Sequence, residues 1–215
     1  MKKNFLFILL PLLLNSGLAQ TQDRYYEVDK SILAINIKTN NLHKIHDEIV
    51  AGIDDDEIKV RAFYIWITNN ISYNYPLYKN RPERLKIAKK PLKAKLNRTL
   101  RKRSAICSGY SELFRELCRL SEIPAEVVGG YSKTSVRQIN RKGKPEHAWN
   151  KVRIGGVWRL VDTTWGSGYV FKKEFFKQFN DSYFFTDPDK FYYNHYPMEA
   201  NLGIEDAGFS REDFM

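Results

Sequence analysis

Cys107, His147 and Asp162 are the side chains whose types and spacing could together open an amide bond. A thiol nucleophile needs a base to take its proton, and the base needs an orienter. Cys107 lies about three residues inside a helix that Ser104 can cap, and the positive end of a helix favours an anion. His147 could take the thiol proton and hand it to a leaving amine, while Asp162 fixes its tautomer. The backbone N–H of Cys107, unpaired at a helix start, could donate to an oxyanion. The same residues also fit a plainer reading. A lone cysteine at a helix start is commonly structural, and four histidines make chance pairings easy.

These residues depend on the elements that carry them. In "RSAICSGYSELFRELCRLS", Leu113, Phe114, Leu117, Cys118 and Leu120 fall on one helical face, predicting a helix over 104–121. Cys118 is then a small buried apolar residue. The two cysteines are eleven apart, which on a helix is ~16 Å of rise. A disulfide spans at most about 7 Å between Cα atoms, so they cannot pair.

"HAWNKVRI", Gly155-Gly156 and "VWRLVDTTW" read as a hairpin with a two-residue turn. That turn sets Ile154 opposite Val157, His147 opposite Thr164 and Trp149 opposite Asp162. His147, Trp149, Asp162 and Thr164 then share one face, with His147 and Asp162 diagonal neighbours about 7–8 Å apart at the backbone. A turn one residue longer would separate them. The other face offers Ala148, Val152, Ile154, Val157 and Val161 to a core.

Around these lie a helix from Asp54–Asp56 to near Asn70, short helices over 23–50, a strand from Ala125 to Ser132, the polar loop "TSVRQINRKGKPE", and a Phe- and Tyr-rich tail from Phe171. Lys2 and Lys3, the apolar run Phe5–Leu14, and Gly17 and Ala19 form a signal-peptide pattern over 1–19, with cleavage near Gln20. That run is short of the ~20 residues a membrane helix needs, so no stable span is expected after cleavage. The remainder, 20–215, reads as one exported domain, periplasmic or extracellular.

The chain carries a formal charge of +10. Residues 79–103 hold twelve basic side chains and one acid, Glu83, and account for the excess. This basic insertion could meet an acidic partner or stand as a solvated face beside a site. An exported chain without a binding motif argues against nucleic acid. His43 and His46, three apart, make only two ligands, so no metal site is expected. No cofactor is expected, since no phosphate-cradling glycine loop occurs.

"CSGYSELFRELCRLSEIPAEVVGGYSK" followed by "HAWNKVRIGGVWRLVDTTWG" resembles the transglutaminase-like superfamily: C-x-G-Y at a helix start, then H-A-W-N and D-x-T-W on neighbouring strands. "RAFYIWITNNISYNY" resembles the segment preceding the cysteine there. The resemblance covers roughly 60–168. It implies an α+β, papain-like fold, its catalytic helix packed on an antiparallel sheet, with Cys107 as nucleophile, His147 as base and Asp162 as orienter. Tyr73 becomes the candidate to assist the oxyanion, with a packed core tyrosine as its alternative. Trp149 and Trp165 are candidates for the cleft or for packing. The tail "YFFTDPDKFYYNHYPMEANLGIED" is similar to the kyphoscoliosis-peptidase-like branch, although "NLGIED" stands where a Trp-Gln-Leu-Leu-like stretch belongs. His195 in that tail reads as structural.

The implied chemistry is a thioester at Cys107, passed to water or to an amine. The reading leans to a peptidase or amidase over a cross-linking transglutaminase, because animal cross-linking enzymes have larger, calcium-dependent architectures. The substrate would be a protein or a cell-wall peptide. The alternative is a non-catalytic binding or scaffold module that uses its basic surface.

Overall fold

In the computed structural model the described residues are 17–133, 145–198 and 214, with side chains from residue 24 onward. Most of the signal pattern, the polar loop over 134–144 and the "NLGIED" stretch lie outside them. The expected cleavage point near Gln20 falls inside helix α1 (Gly17–Ala34).

Nine residues in a row, Val60 to Thr68, are buried in helix α3 (Asp56–Asn70). A helix buried on every side must be surrounded, and α1, α2 (Leu42–Val50) and α7 (Cys107–Leu120) pack around it. Asp55 caps α3 by accepting from the Ile58 N–H at 3.0 Å, and Asp56 and Glu57 supply the negative first turn that suits the helix dipole.

Helix α7 buries Tyr110, Leu113, Phe114, Leu117 and Cys118, as the apolar spacing requires. Its start differs from the expectation. Ser104 does not cap it; Ile106 occupies that position with no side-chain hydrogen bond, and Cys107 is the first helical residue. The reason lies upstream. Strand β1 (Ser72–Tyr73) pairs in parallel with β2 (Ser104–Ala105), so the backbone around Ser104 is already extended and hydrogen-bonded. Ser72 N–H donates to the Arg103 carbonyl at 2.9 Å and Asn74 N–H to the Ala105 carbonyl at 2.8 Å.

Residues 75–102 form three helices: α4 (Tyr75–Lys79), α5 (Arg81–Ala88) and α6 (Leu92–Lys102). The charge is divided among distinct uses. Helix α6 buries Leu96, Thr99 and Leu100, and Lys95 pairs with Glu112 of α7. Arg103 donates to the Ile37 and Thr39 carbonyls. Lys86, Lys89, Lys90 and Lys93 remain exposed.

The main sheet is antiparallel, in the order β8 (Phe184–Thr186), β5 (Val157–Val161), β4 (His147–Ile154), β3 (Ala125–Ser132), β9 (His195–Pro197). Gly155 and Gly156 take φ of 56° and 84°, the left-handed pair that a tight two-residue hairpin demands. The expected register follows, from Ile154 opposite Val157 to Asn150 opposite Val161. Pairing then stops: Asp162 leaves the strand to cap the short helix α8 (Thr163–Gly166).

One sheet face, with Val152 and Val161, joins the helical core. Val157 does not, being 52% exposed beside the turn. The opposite face packs Val128, Trp149 and Leu160 against Phe191 and Tyr192 of helix α9 (Pro188–Tyr192). A separate hairpin, β6 (Gly168–Phe171) and β7 (Glu174–Lys177), projects Tyr169, Phe171 and Phe176 into solvent. Its base is tied to the end of α3, where Lys177 Nζ donates to the Thr68 and Ile71 carbonyls at 3.0 and 3.3 Å. Among the described residues no helix is long and apolar enough to cross a membrane.

Candidate active site

The segment Cys107–Tyr110 sets the helix start against its surroundings. A Cβ on Gly109 would lie 2.7 Å from the Ala105 Cβ, so only glycine lets α7 begin this close to β2. Tyr110 is fully buried and its hydroxyl donates to the Ile71 carbonyl at 2.7 Å, tying α7 to the end of α3. Cys107, as first residue of α7, keeps a backbone N–H with no intrahelical acceptor. Its Sγ lies 3.8 Å from the Glu146 carbonyl, at the threshold of β4. Cys107 and Cys118 are both free thiols, held apart by three turns of α7, and burial pushes the Cys118 thiol up.

His147 opens β4. Its Nε2 donates to Asp162 Oδ2 at 2.7 Å, and the Cys107 sulfur is near enough to help raise the imidazole. With Nε2 on the carboxylate, Nδ1 is the nitrogen that serves the thiol. Asn150 holds the strand in place through its Nδ2, which donates to the Ser111 carbonyl of α7 at 3.1 Å. Asp162 is fully buried and takes four hydrogen bonds. Oδ1 accepts from the Thr164 and Trp165 N–H groups at 2.8 and 3.1 Å, as the cap of α8. Oδ2 accepts from His147 and, at 3.0 Å, from His195 Nε2 on β9.

The electrostatics follow. Burial works against a charged His147, but the Asp162 carboxylate and the Cys107 sulfur outweigh it and hold the imidazole up at about 10. Burial likewise opposes a charged Asp162, and the two imidazoles outweigh that to keep it well below the usual carboxylate range. His195 goes the other way: burial lowers it to about 4 against the pull of Asp162.

His147 faces a cleft of about 1140 Å³, whose walls include Tyr73, Tyr78, Trp165, Phe175, Tyr183 and Tyr193. Lys133 also lines it. Tyr73 stands beside Cys107, placed there by the β1–β2 pairing. Burial, and then the neighbouring Cys107 sulfur, push its phenol far up, so it keeps its O–H. Trp149 does not line the cleft. It is 1% exposed beneath His147, packed against Phe191 and His195, because its place on β4 faces α9. Trp165 does reach the cleft.

The structure thus brings Cys107, His147, Asp162 and Tyr73 together. The residue that spacing did not reveal as part of this group is His195, 33 positions beyond Asp162. His43 is exposed, while His46 is buried with Nε2 on Ser121 Oγ at 2.8 Å, so the two are not a ligand pair. Among the described residues, His147, Asp162 and His195 also have the proximity of a metal-ligand group. Their facing atoms are already satisfied by hydrogen bonds to one another.

Residues 43–163 match the family model of the transglutaminase-like superfamily. The kyphoscoliosis peptidase of Mus musculus is 32% identical over 181 residues, covering 82% of this chain and 26% of that protein. The kyphoscoliosis peptidase of Homo sapiens is 34% identical over 166 residues, covering 75% and 24%. The chain therefore spans about a quarter of the length of these curated relatives. Among solved structures, one described as a TGase aligns with a TM-score of 0.42 at 19% identity, covering 79% of this chain and 44% of that one.

Proposed function

The chain belongs to the transglutaminase-like superfamily, and on that premise we propose that it is an exported thiol enzyme acting on amide bonds through Cys107, His147 and Asp162. The observation that carries the reading is His147, held at 2.7 Å by a fully buried Asp162, raised by the neighbouring Cys107 sulfur and facing a cleft large enough for a polypeptide segment.

The steps follow from the geometry. His147 Nδ1 holds the proton taken from Cys107, and Sγ attacks the amide carbonyl carbon. The oxyanion accepts from the Cys107 N–H and from the Tyr73 hydroxyl. The imidazolium then gives its proton to the leaving nitrogen, the C–N bond breaks, and a thioester remains on Sγ. Water, deprotonated by His147, attacks the thioester and releases the acid and the thiol. An amine in place of water would give transfer. We favour hydrolysis, with a protein or a cell-wall peptide as substrate. The exposed lysines after α4, whose tyrosines line the cleft, would draw an acidic partner toward it.

The test is to incubate the protein with a peptide mixture and with a fluorescent primary amine, beside Cys107→Ala. New peptide termini or released ammonia that depend on Cys107 support hydrolysis. Amine incorporation without hydrolysis would move the reading to a transferase. A folded protein that does neither, while Cys107→Ala keeps full biological function, would favour a binding module. N-terminal sequencing of the protein from the producing cell tests export: the proposal requires a start near Gln20.

A further inference from the structure

His195 is fully buried among rings, with Phe191 stacked at 4.1 Å, Trp165 at 4.4 Å and Trp149 edge-on at 5.1 Å between centroids. Aromatic packing alone would be satisfied by another ring. What packing does not require is the polar contact: His195 Nε2 lies 3.0 Å from the same Asp162 oxygen that serves His147. Two imidazoles therefore share one carboxylate oxygen, one from β4 and one from β9.

The two are not equivalent. His147 has the Cys107 sulfur as an electrostatic neighbour and lines the cleft, whereas His195 has neither. His195 is held low by burial and is neutral at pH 7, so its ring carries a single N–H. A bare Nε2 lone pair 3.0 Å from an ionised carboxylate would be repelled, so the proton sits on Nε2. Nδ1 must then accept. As placed, Asn194 Oδ1 lies 2.5 Å from Nδ1, and Asn194 Nδ2 donates to the Tyr183 hydroxyl at 3.4 Å, the reverse of what a neutral ring protonated on Nε2 can use. The two ends of an amide exchange by a half-turn. The neutral ring calls for the NH₂ toward Nδ1 and the carbonyl toward the Tyr183 O–H. Tyr183, Asn194 and His195 then form an ordered chain of donors that ends on Asp162.

We propose that His195 is a positioning residue of the reaction: its Nε2–H, fixed in that tautomer by Asn194, holds the Asp162 carboxylate in place and stabilises its charge when His147 gives up its proton. Before transfer, the Asp162 charge is balanced by the His147 imidazolium. When that proton passes to the leaving nitrogen, Asp162 faces a neutral imidazole inside a site of low polarity. Its remaining support is the neutral His147 Nε2–H, the His195 N–H and the two amides of α8. His195 keeps its own proton throughout, and no bond to it forms or breaks. This rests on the reading of Cys107, His147 and Asp162 given above.

The experiment is the rate of Cys107 alkylation by iodoacetamide at pH 7 in four forms: wild type, His147→Ala, His195→Phe and His195→Gln. ¹⁵N spectra of the histidine rings and thermal melting accompany it. Phenylalanine keeps the packing without the donor, and glutamine offers an N–H where Nε2 was. The expected result is a fall of about tenfold in His195→Phe, the size of effect a displaced base produces. His195→Gln should recover most of that rate. The wild-type spectrum should show His195 neutral with its proton on Nε2, and the His147 ring signals should move in His195→Phe but not in His195→Gln.

Rates that follow the loss of melting temperature alike in both His195 variants would make His195 merely structural and overturn the proposal. So would a wild-type His195 protonated on Nδ1, a result that needs no variant to fold. If His147→Ala itself alkylates at the wild-type rate, the three-residue reading fails first. If His147→Ala is slow and His195→Phe is not, only the role of His195 fails.

Discussion

Two buried ionic clusters in this molecule look alike in burial and pairing, yet are built for opposite ends. In one, the guanidinium of Arg61 on α3 is 2% exposed and gripped by Asp29 of α1 through Nε at 2.8 Å and Nη2 at 2.6 Å, with Asp181 on its third nitrogen. The rings of Tyr25 and Phe184 lie 4.8 Å from it on either count. In the other, the carboxylate of Asp162 is gripped by His147 and His195, whose own rings pack against Trp149, Trp165 and Phe191. Burial opposes the Arg61 charge, but its two carboxylates outweigh it and push the guanidinium further up, so no proton moves there at any working pH. His147 carries a proton that can move, and one side of its ring faces open space. Burial and pairing mark both clusters. A transferable proton beside a cleft marks only one.

The largest effect that separates them is on turnover. Cys107→Ala should lower amide turnover by about 10³-fold or more, while its melting temperature stays close to the wild type, because a single sulfur atom is removed. Turnover against denaturation measured on the same samples checks this. Arg61→Met should do the reverse. Leaving Asp29 and Asp181 without their cation costs about 3–5 kcal/mol by urea unfolding, while the folded fraction keeps the wild-type alkylation rate of Cys107. Turnover lost in proportion to folded protein in both variants would erase the distinction.

A smaller effect concerns the hairpin over the cleft. Lys177→Met removes the cation on the α3 carbonyls and should cost about 1–3 kcal/mol, read by thermal melting, with accelerated hydrogen exchange confined to 168–177.

The pH dependence sharpens the contrast further. His147 sits near 10 in the folded protein against an ordinary 6.5. Its contribution to stability is fully present below 6.5 and is lost as pH rises through 10. Asp162 is depressed, so its contribution is present above the usual carboxylate range and is lost only in acid. Melting temperature followed from pH 6.5 to 10 should therefore decline more steeply in wild type than in His147→Gln, while Arg61→Met should leave the slope unchanged. Smallest of all is the basic face. Reversing Lys86, Lys89, Lys90 and Lys93 to glutamate should slow turnover of acidic peptides several-fold at low salt. It should leave Cys107 alkylation unchanged.

Much of the site was legible because its determinants are local. The Gly155-Gly156 turn fixes register, and register alone brings β4 and the residue after β5 to the same end of the sheet. Helical spacing likewise disclosed α3 and α7, and strand composition disclosed β3. What stayed hidden depends on pairing between distant segments. Ser104 has the chemistry of a cap, but β1 claims its backbone, so the helix starts at Cys107. His195 reaches Asp162 only because β9 adds to β3, which in turn pairs with β4: Ser132 sits opposite His195, and Gly130 opposite His147. No spacing in the chain announces that order. Trp149 and Trp165 each read as cleft or packing from sequence; packing against α9 buries the first, while the second stands at the cleft wall.

The most direct measurement of the central claim is the alkylation rate of Cys107 at pH 6.5 in the wild type and in His147→Ala, with fully buried Cys118 as the unreactive internal control. A working pair predicts a wild-type rate at least about tenfold above the variant, since the imidazole that takes the thiol proton is gone. Equal rates in two folded proteins would contradict it, and Cys107 would then be a buried thiol beside a histidine that does nothing for it.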